Sequence, residues 1–184
     1  RVIKEKADLG IAFDGDADRV LFIDERGSRI PTDLITCLIA KDMLEANPHE
    51  PILYDLRSSW IVPETIAKHK GIPIMTKVGH AFIKEHMRKV KGLFAGELSG
   101  HYYFRENFYT DSAVIAALRV IELMCRGGKA MSQLAAGYKK YSGTGELNFK
   151  VEGKESILRK LEHHFRDGQI SRIDGIRIDF KEWW

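Results

Sequence analysis

The sequence has few of the features that mark secreted, membrane-spanning or nucleic-acid-binding proteins. Only two of its 184 residues are cysteines, Cys37 and Cys125, and each falls within an apolar helical pattern. This placement indicates small core side chains in a reducing compartment, not a disulfide or a metal pair. No apolar run reaches transmembrane length, and the N-terminus lacks a signal-peptide pattern. These absences predict a cytoplasmic protein with no membrane partner.

Charge is also weakly patterned. The formal net charge is +3, charged residues make up 30% of the chain, and no run of like charge is long enough to form a tail. This mild excess suits a small anionic substrate and argues against a nucleic-acid partner. The sequence shows no internal repeat and no Ser/His/Asp or Cys/His arrangement for nucleophilic catalysis. Its 44% hydrophobic content is enough for a core and for one or two domains.

The most distinctive stretch is an acidic loop. A strand-length apolar run, residues 9–13, leads directly into Asp14, Asp16 and Asp18, with Arg19 next. Three carboxylates this close repel one another unless a cation lies among them. Oxygen ligands suit Mg²⁺, which keeps coordination positions for water or phosphate oxygens. A solvated Asp-rich turn is the alternative, but the preceding strand and Arg19 favour a metal site.

Strands and helices alternate over the middle of the chain. Apolar runs predict strands at residues 20–24, 51–55, 72–76 and 93–95, and helical spacing predicts helices at residues 60–70 and 81–90. Asp111 and Ser112 are expected to cap a further apolar helix. Such alternation predicts an α/β fold in which helices flank a mixed, largely parallel sheet.

The pattern changes after Tyr141. A strand over 146–151, a helix over 156–165 and two further strands predict a smaller, incomplete α+β domain. The chain starts without a methionine and finishes on two tryptophans that nothing follows. We therefore expect a fragment of a longer protein.

Polar or glycine-bearing loops follow several predicted strands. They are residues 14–19, 57–59, 77–80 and 96–101. Because open α/β sheets bind ligands beyond the carboxyl ends of their strands, we expect all four loops to lie on one rim. Arg57, beside a helix N-terminus, can hold a phosphate oxygen there.

Individual side chains of these loops suit a polyhydroxylated, anionic ligand. Glu97, Ser99 and His101 alternate along a glycine-bounded loop and offer an acceptor, a hydroxyl and an imidazole. His80 begins a helix, where the dipole favours a neutral ring, although a surface capping histidine is an equal alternative. Lys84, one turn further on, is expected to be solvated unless that turn faces the cleft.

Three segments together resemble the α-D-phosphohexomutase family, the phosphomannomutases and phosphoglucomutases. Residues 14–19, DGDADR, resemble the metal-binding loop of that family. Residues 77–84, KVGHAFIK, resemble its Thr/Val-Gly-His-x-x-Ile-Lys segment, and residues 96–101, GELSGH, resemble its sugar-binding GEMSGH loop. Leu98 replaces the methionine, an apolar exchange that leaves the polar residues in place. The order and spacing match over nearly the whole chain.

The resemblance implies three parts of a four-domain enzyme. Residues 1–24 would be the C-terminal end of the metal-binding domain 2, residues 25–141 the sugar-binding α/β domain 3, and residues 142–184 the truncated start of the α+β domain 4. The phosphoserine of the first domain and the phosphate-clamp loop of the fourth are missing from the chain. We therefore expect no catalytic phosphoserine here and no turnover by this chain alone.

By the same resemblance, the intact protein would interconvert a hexose 1-phosphate and its 6-phosphate, with mannose or glucose as the sugar. The phosphoryl group would pass through a phosphoserine and a hexose 1,6-bisphosphate, which also acts as activator. Asp14, Asp16 and Asp18 would bind Mg²⁺. The phosphohexose would be bound by Arg57, His80, Glu97, Ser99 and His101. Catalysis would be assisted by Arg19, His80 and His101.

Two alternatives remain open. Asp14 and Asp16 have the Asp-x-Asp spacing of a haloacid-dehalogenase-type phosphatase, in which they would be nucleophile and acid. Asp18 stands where that motif usually has Thr or Val, which counts against this assignment. The other alternative is a non-catalytic module that only binds sugar phosphates.

Overall fold

The computed structural model describes residues Arg1–Trp184 and divides them into two compact units. The first comprises Arg1–Tyr141 and the second Ser142–Trp184. None of the helices has both the length and the apolar character that a membrane span requires.

The first unit begins with a short helix and an antiparallel sheet. Their bounds are α1 (Val2–Glu5), β1 (Leu9–Phe13), β2 (Val20–Asp24) and β3 (Arg29–Ile30). The turn between β2 and β3 is held by the Asp24 carboxylate, which accepts from the amides of Arg26 at 3.0 Å and Ser28 at 2.8 Å. Alternate β2 residues, Val20 and Phe22, are fully buried, as expected for a strand with one face on the core.

Five further strands form the main sheet of the first unit. They are β4 (Pro51–Asp55), β5 (Ile72–Thr76), β6 (Phe94–Gly96), β7 (Tyr102–Phe104) and β8 (Thr110–Asp111). Their spatial order is β5-β4-β6-β7-β8, with β4 parallel to β5 and β6 and with β7 and β8 added antiparallel. The connections into β7 and β8 are too short for a crossover, so the chain returns antiparallel there. The predicted α/β fold with a mixed sheet is confirmed.

Helices cover both faces of this sheet. They are α2 (Thr32–Ala46), α3 (Ile61–Lys68), α4 (His80–Val90), α5 (Ala113–Gly127) and α6 (Met131–Ala136). One core joins α2, α3, α5 and α6 to alternate strand residues such as Phe94 and Tyr102. On the other face, Ile83 and Met87 of α4 pack against the intervening strand residues, among them Tyr103. Because successive side chains of a strand point to opposite faces of the sheet, each strand contributes residues to the cores on both faces.

The acidic loop is not on the rim of the main sheet, so the prediction of four loops on one rim is wrong. Residues 14–19 join β1 to β2 in the separate antiparallel sheet. The physical reason is the length of the connection. Strands joined by so short a loop return as a hairpin, whereas a parallel neighbour needs a crossover of a dozen or more residues.

The second unit consists of one helix and a two-stranded antiparallel sheet. Its elements are α7 (Lys154–His164), β9 (Gln169–Ser171) and β10 (Arg177–Asp179). The strand predicted over residues 146–151 is wrong, because residues 141–151 have no regular structure. The pattern there alternates, but its apolar residues Leu147 and Phe149 are exposed, so they give the strand no face to bury.

Candidate functional site

The carboxylates of Asp14, Asp16 and Asp18 converge in the loop between β1 and β2. One oxygen from each lies within 4.8 Å of the other two. Ala17 adopts a left-handed backbone conformation with φ of 59°, and its N–H donates to the Asp14 carbonyl at 3.3 Å, which curls the loop. Asp18 Oδ1 is buried without a hydrogen-bond partner, and its recorded ion-pair contact is with Arg19 Nε at 3.7 Å. A desolvated carboxylate oxygen is costly unless it is paired, so the loop fits a hard cation.

Arg19 closes the acidic loop on Asp14. Its N–H donates to Asp14 Oδ1 at 3.2 Å, and its Nε donates to Asp14 Oδ2 at 2.5 Å. Desolvation alone would raise the pKa of Asp14, but the hydrogen bonds and the charge of Arg19 outweigh it and hold that pKa below its usual range. Asp14 is therefore ionised at neutral pH. The Arg19 side chain is 49% exposed, which leaves its charge accessible to an anion.

The acidic loop is docked on the loop of residues 96–101, although the two belong to different sheets. The Val20 N–H donates to the Gly100 carbonyl at 3.1 Å, and His101 Nε2 lies 3.2 Å from Asp18 Oδ2. Gly100 has φ of +98°, and a Cβ there would lie 3.1 Å from the Val20 carbonyl oxygen. Only glycine adopts this conformation without strain. The two loops therefore form one site.

Glu97 and His101 face each other within the 96–101 loop. His101 Nδ1 lies 3.2 Å from Glu97 Oε2 and 2.8 Å from Ser99 Oγ. The Tyr103 hydroxyl donates to Glu97 Oε2 at 2.9 Å. These contacts hold the glutamate and the histidine in fixed orientations at the inner end of the loop.

The charges of this pair support each other. Burial raises the pKa of Glu97, but the hydrogen bonds from His101 and Tyr103 and the His101 charge lower it overall. Burial lowers the pKa of His101, but hydrogen bonds to Glu97 and Asp18 and their charges raise it overall. The arrangement favours a carboxylate next to an imidazolium.

Arg57 lies against the same loop from β4. Its Nη2 is 2.9 Å from Asp55 Oδ2 and 3.5 Å from Glu97 Oε1. The Arg57 side chain is 36% exposed, whereas the Asp55 side chain is completely buried. One nitrogen of the guanidinium is therefore held by two carboxylates, and the exposed part can approach an anionic ligand.

An ion pair that the sequence did not reveal borders the site. Lys84 Nζ lies 2.5 Å from Asp111 Oδ1, and the two side chains are 25% and 8% exposed. The expected solvation of Lys84 is therefore wrong. The Asp111 carboxylate also lies within 4.8 Å of the potential ligand atoms of Asp18 and His101. Asp111 thus places a further negative charge beside the acidic loop, and Lys84 balances it.

Asp111 does not cap the helix that follows it, contrary to the sequence prediction. Ser112 alone is the N-cap of α5, and its Oγ accepts from the Ile115 N–H at 3.2 Å. The Ser112 side chain satisfies one of the orphan amides of α5, and the preceding aspartate pairs with Lys84 instead. The four-residue spacing of His80 and Lys84 places both on one face of α4, but it does not indicate the partner of Lys84.

The structure brings most of the predicted site residues into one network. Contacts run from Asp18 through His101 to Glu97 and on to Arg57, with Ser99 on His101. His80 is exposed at the first residue of α4. Its relation to the site is its position on α4, one turn before Lys84.

The fold and the site define an α/β/α domain whose sheet edge carries a carboxylate–imidazole–guanidinium network beside an acidic loop. A family model described as phosphoglucomutase/phosphomannomutase, alpha/beta/alpha domain III, matches residues 31–141. The chain therefore belongs to the phosphoglucomutase/phosphomannomutase family, as the sequence motifs predicted.

Relatives agree with this assignment. The phosphomannomutase of Methanocaldococcus jannaschii is 42% identical over 183 residues, which cover 100% of this chain and 41% of the relative. A phosphoglucomutase/phosphomannomutase family protein from Burkholderia thailandensis has a crystal structure with a TM-score of 0.87 at 30% identity, over 98% of this chain and 39% of that one. The chain thus spans about two fifths of the length of these relatives.

A more distant solved structure shares the fold. The N-acetylphosphoglucosamine mutase of Aspergillus fumigatus, in complex with GlcNAc-6P and magnesium, aligns with a TM-score of 0.60 at 16% identity. The alignment covers 91% of this chain and 44% of that one.

Proposed function

We propose that this chain forms the sugar-binding and cation-binding part of a phosphohexomutase, an isomerase that moves a phosphoryl group between O1 and O6 of a hexose. Family membership gives the reaction class. The observation that carries the proposal is the position of His101, which lies 3.2 Å from both Asp18 and Glu97. This imidazole joins the phosphate-side cation loop to the sugar-side carboxylate. Mannose or glucose is the proposed sugar, in keeping with the phosphomannomutase relative.

Asp14, Asp16 and Asp18 would hold Mg²⁺. Their converging oxygens fit such an ion, as does Asp18 Oδ1, which is buried and accepts no hydrogen bond. When bound, Mg²⁺ neutralises charge on a phosphoryl group in transfer. Magnesium in the complex of the Aspergillus fumigatus relative supports the choice of ion. Arg19, already fixed on Asp14, would add a second positive charge toward the phosphate.

The side chains of the main sheet would bind the phosphohexose. Glu97 would accept hydrogen bonds from sugar hydroxyls, and the Ser99 hydroxyl would both donate and accept them. Arg57 would pair with a phosphate oxygen, with His80 at the start of α4 on the same side. His101 would donate a proton to a sugar oxygen that leaves phosphorus, and in the reverse direction it would accept the proton of the attacking sugar hydroxyl.

The proposed enzyme is longer than this chain. Residues 1–24 would close the metal-binding domain, residues 25–141 are proposed as the sugar-binding domain, and residues 142–184 would begin the next. The serine that carries the phosphoryl group would lie elsewhere in the polypeptide, and a hexose 1,6-bisphosphate would be the intermediate. We also propose a cytoplasmic location, because charged sugar phosphates do not cross membranes unaided.

Turnover by the complete polypeptide tests the proposal. Mannose 1-phosphate or glucose 1-phosphate is incubated with Mg²⁺ and a catalytic amount of the matching 1,6-bisphosphate, and phosphorus NMR follows the 6-phosphate. We expect conversion by the complete polypeptide and none by residues 1–184 alone. Absence of the 6-phosphate with both sugars would overturn the mutase assignment.

The phosphatase alternative is disfavoured by the state of Asp14. Both of its oxygens accept hydrogen bonds from Arg19, which lowers their nucleophilicity. Trapping of an aspartyl-phosphate on Asp14 would reverse this ranking. A binding module without catalysis remains our expectation for residues 1–184 alone.

A further inference from the structure

Arg57 and the 96–101 loop are tied to a single buried carboxylate, that of Asp55. Asp55 is the last residue of β4, and its side chain has no exposed surface. Its Oδ1 accepts from the Arg57 N–H at 2.7 Å. Its Oδ2 accepts from Arg57 Nη2 at 2.9 Å and from the Leu98 N–H at 2.8 Å. These bonds lead to two different ligand-facing loops.

The pattern of donors indicates more than local stabilisation. A buried carboxylate needs a cation and hydrogen bonds to offset its desolvation, and charge-assisted bonds of this length are strong. One of them reaches Leu98, 43 residues further along the chain. The neighbouring residue, Glu97, faces Arg57 Nη2 at 3.5 Å. A shift of Asp55 would therefore move the guanidinium and the glutamate loop relative to each other.

We propose that Asp55 is a positioning residue for phosphosugar binding, which fixes the separation between Arg57 and the Glu97–Ser99 segment. The inference rests on the proposed function, because it takes Arg57 and Glu97 as substrate-binding residues. Asp55 itself is buried beneath both loops and acts through them. Its carboxylate holds the guanidinium through Nη2, and the exposed part of the group can meet a phosphate.

The variant Asp55→Asn keeps the size of the side chain and removes its charge. The asparagine amide also places an N–H donor against the Arg57 or Leu98 donor, so one of these hydrogen bonds is lost. In the complete polypeptide we expect at least tenfold weaker binding of mannose 1-phosphate and glucose 1-phosphate by calorimetry, and a similar rise in KM. Affinity for Mn²⁺ at the acidic loop, followed by electron paramagnetic resonance, is expected to stay at the wild-type value. Unchanged sugar-phosphate affinity in this variant would overturn the proposal.

Asp42→Asn is the matched control. Asp42 lies on α2, its side chain is 9% exposed, and it pairs with Arg119 and Arg126. Like Asp55→Asn, this substitution removes a negative charge that is nearly buried and paired with arginine. Asp42 itself makes none of the proposed ligand contacts. We expect lower thermal stability with sugar-phosphate affinity retained. An equal loss of affinity in this control would show general destabilisation and would count against a positioning role.

Two further measurements keep the inference decisive if the Asp55 variant does not fold. In Arg57→Met, hydrogen exchange of the Leu98 amide should be at least threefold faster, because Asp55 loses the guanidinium that aligns its carboxylate. Unchanged exchange would contradict the coupling between Arg57 and the Leu98 amide.

Where Asp55→Asn does fold, the double variant with Arg57→Met should bind sugar phosphate no more weakly than Arg57→Met alone. Additive losses of affinity would contradict action through Arg57. Wild-type turnover tests the proposed function separately, since the exchange measurement does not depend on catalysis.

Discussion

His101 Nε2 lies 3.2 Å from Asp18 Oδ2, so one imidazole connects the antiparallel hairpin sheet to the mixed sheet. The same ring approaches Glu97 through Nδ1 at 3.2 Å. A residue of the 96–101 loop thereby orients a proposed ligand of the metal. The position of the acidic loop consequently depends on the 96–101 loop, and the next prediction follows from that dependence.

Gly100→Ala is expected to weaken the attachment of the acidic loop. Gly100 requires φ of +98°, and a methyl group there would press on the Val20 carbonyl oxygen at 3.1 Å. We expect the free energy of unfolding to fall by roughly 1–2 kcal/mol, measured by urea denaturation. Gly127→Ala, at the end of α5 with open space around it, is the control and should not destabilise. Equal stability of the two variants would show that the loop tolerates the change.

Asp16→Ala is expected to remove the response to metal while it spares sugar binding. Asp16 is exposed and contributes one of the three converging carboxylates. In the complete polypeptide we expect at least a hundredfold loss of Mg²⁺-dependent turnover, of the size typical for a lost charge-stabilising group, with sugar-phosphate affinity within about threefold. Asp8→Ala, just before β1, is the control that should leave turnover intact. Normal metal dependence in the Asp16 variant would remove the metal role of this loop.

Lys84→Met is expected to destabilise the first unit, because it leaves Asp111 charged and only 8% exposed. The loss of one partner of a buried pair costs about 3–5 kcal/mol, and the partial exposure of Lys84 places this cost at the lower end of the range. The double variant with Asp111→Asn should recover part of this cost, and a urea-based double-mutant cycle measures the coupling. Lys140→Met breaks an exposed pair with Glu64, so it should cost clearly less than Lys84→Met. Strict additivity of the two substitutions would mean that the ion pair does not contribute.

The strands and the principal loops could be predicted from sequence because their signals are local. The apolar runs at residues 9–13, 20–24, 51–55 and 72–76 are the observed β1, β2, β4 and β5. The glycines of the 96–101 loop also carried a local signal. Gly100, for example, adopts φ of +98°, a turn conformation that glycine adopts without strain.

The remaining features depend on contacts between distant parts of the chain. The Asp55–Leu98 and Lys84–Asp111 contacts join segments that sequence periodicity treats as unrelated. A buried aspartate at a strand end looks the same in sequence as a turn residue. β1 pairs with β2 and not with the main sheet because the loop between them is short. This signal is present in the sequence, but the prediction gave more weight to a parallel sheet with all four loops on one rim.

Asp33, in the first turn of α2, is expected to make stability depend on pH. Burial raises the pKa of Asp33 to about 6, the Ser59 N–H opposes this, and the Asp55 charge adds to it. An unfolded aspartate titrates near about 3.9, so the folded protein binds this proton more tightly. The favourable contribution of the protonated form is present below about pH 4 and is lost as pH rises through about 6.

Asp33→Asn mimics the protonated carboxyl at every pH and isolates this effect. The variant should gain stability relative to the wild type between pH 4 and pH 7. The free energy of unfolding of the variant minus that of the wild type should rise by on the order of 2 kcal/mol over this range. Urea denaturation at both pH values measures the difference. Asp8→Asn removes the same charge from an exposed position and serves as the control. A difference that stays constant between the two pH values would show that Asp33 does not carry the proton, and would place the pH dependence on other groups.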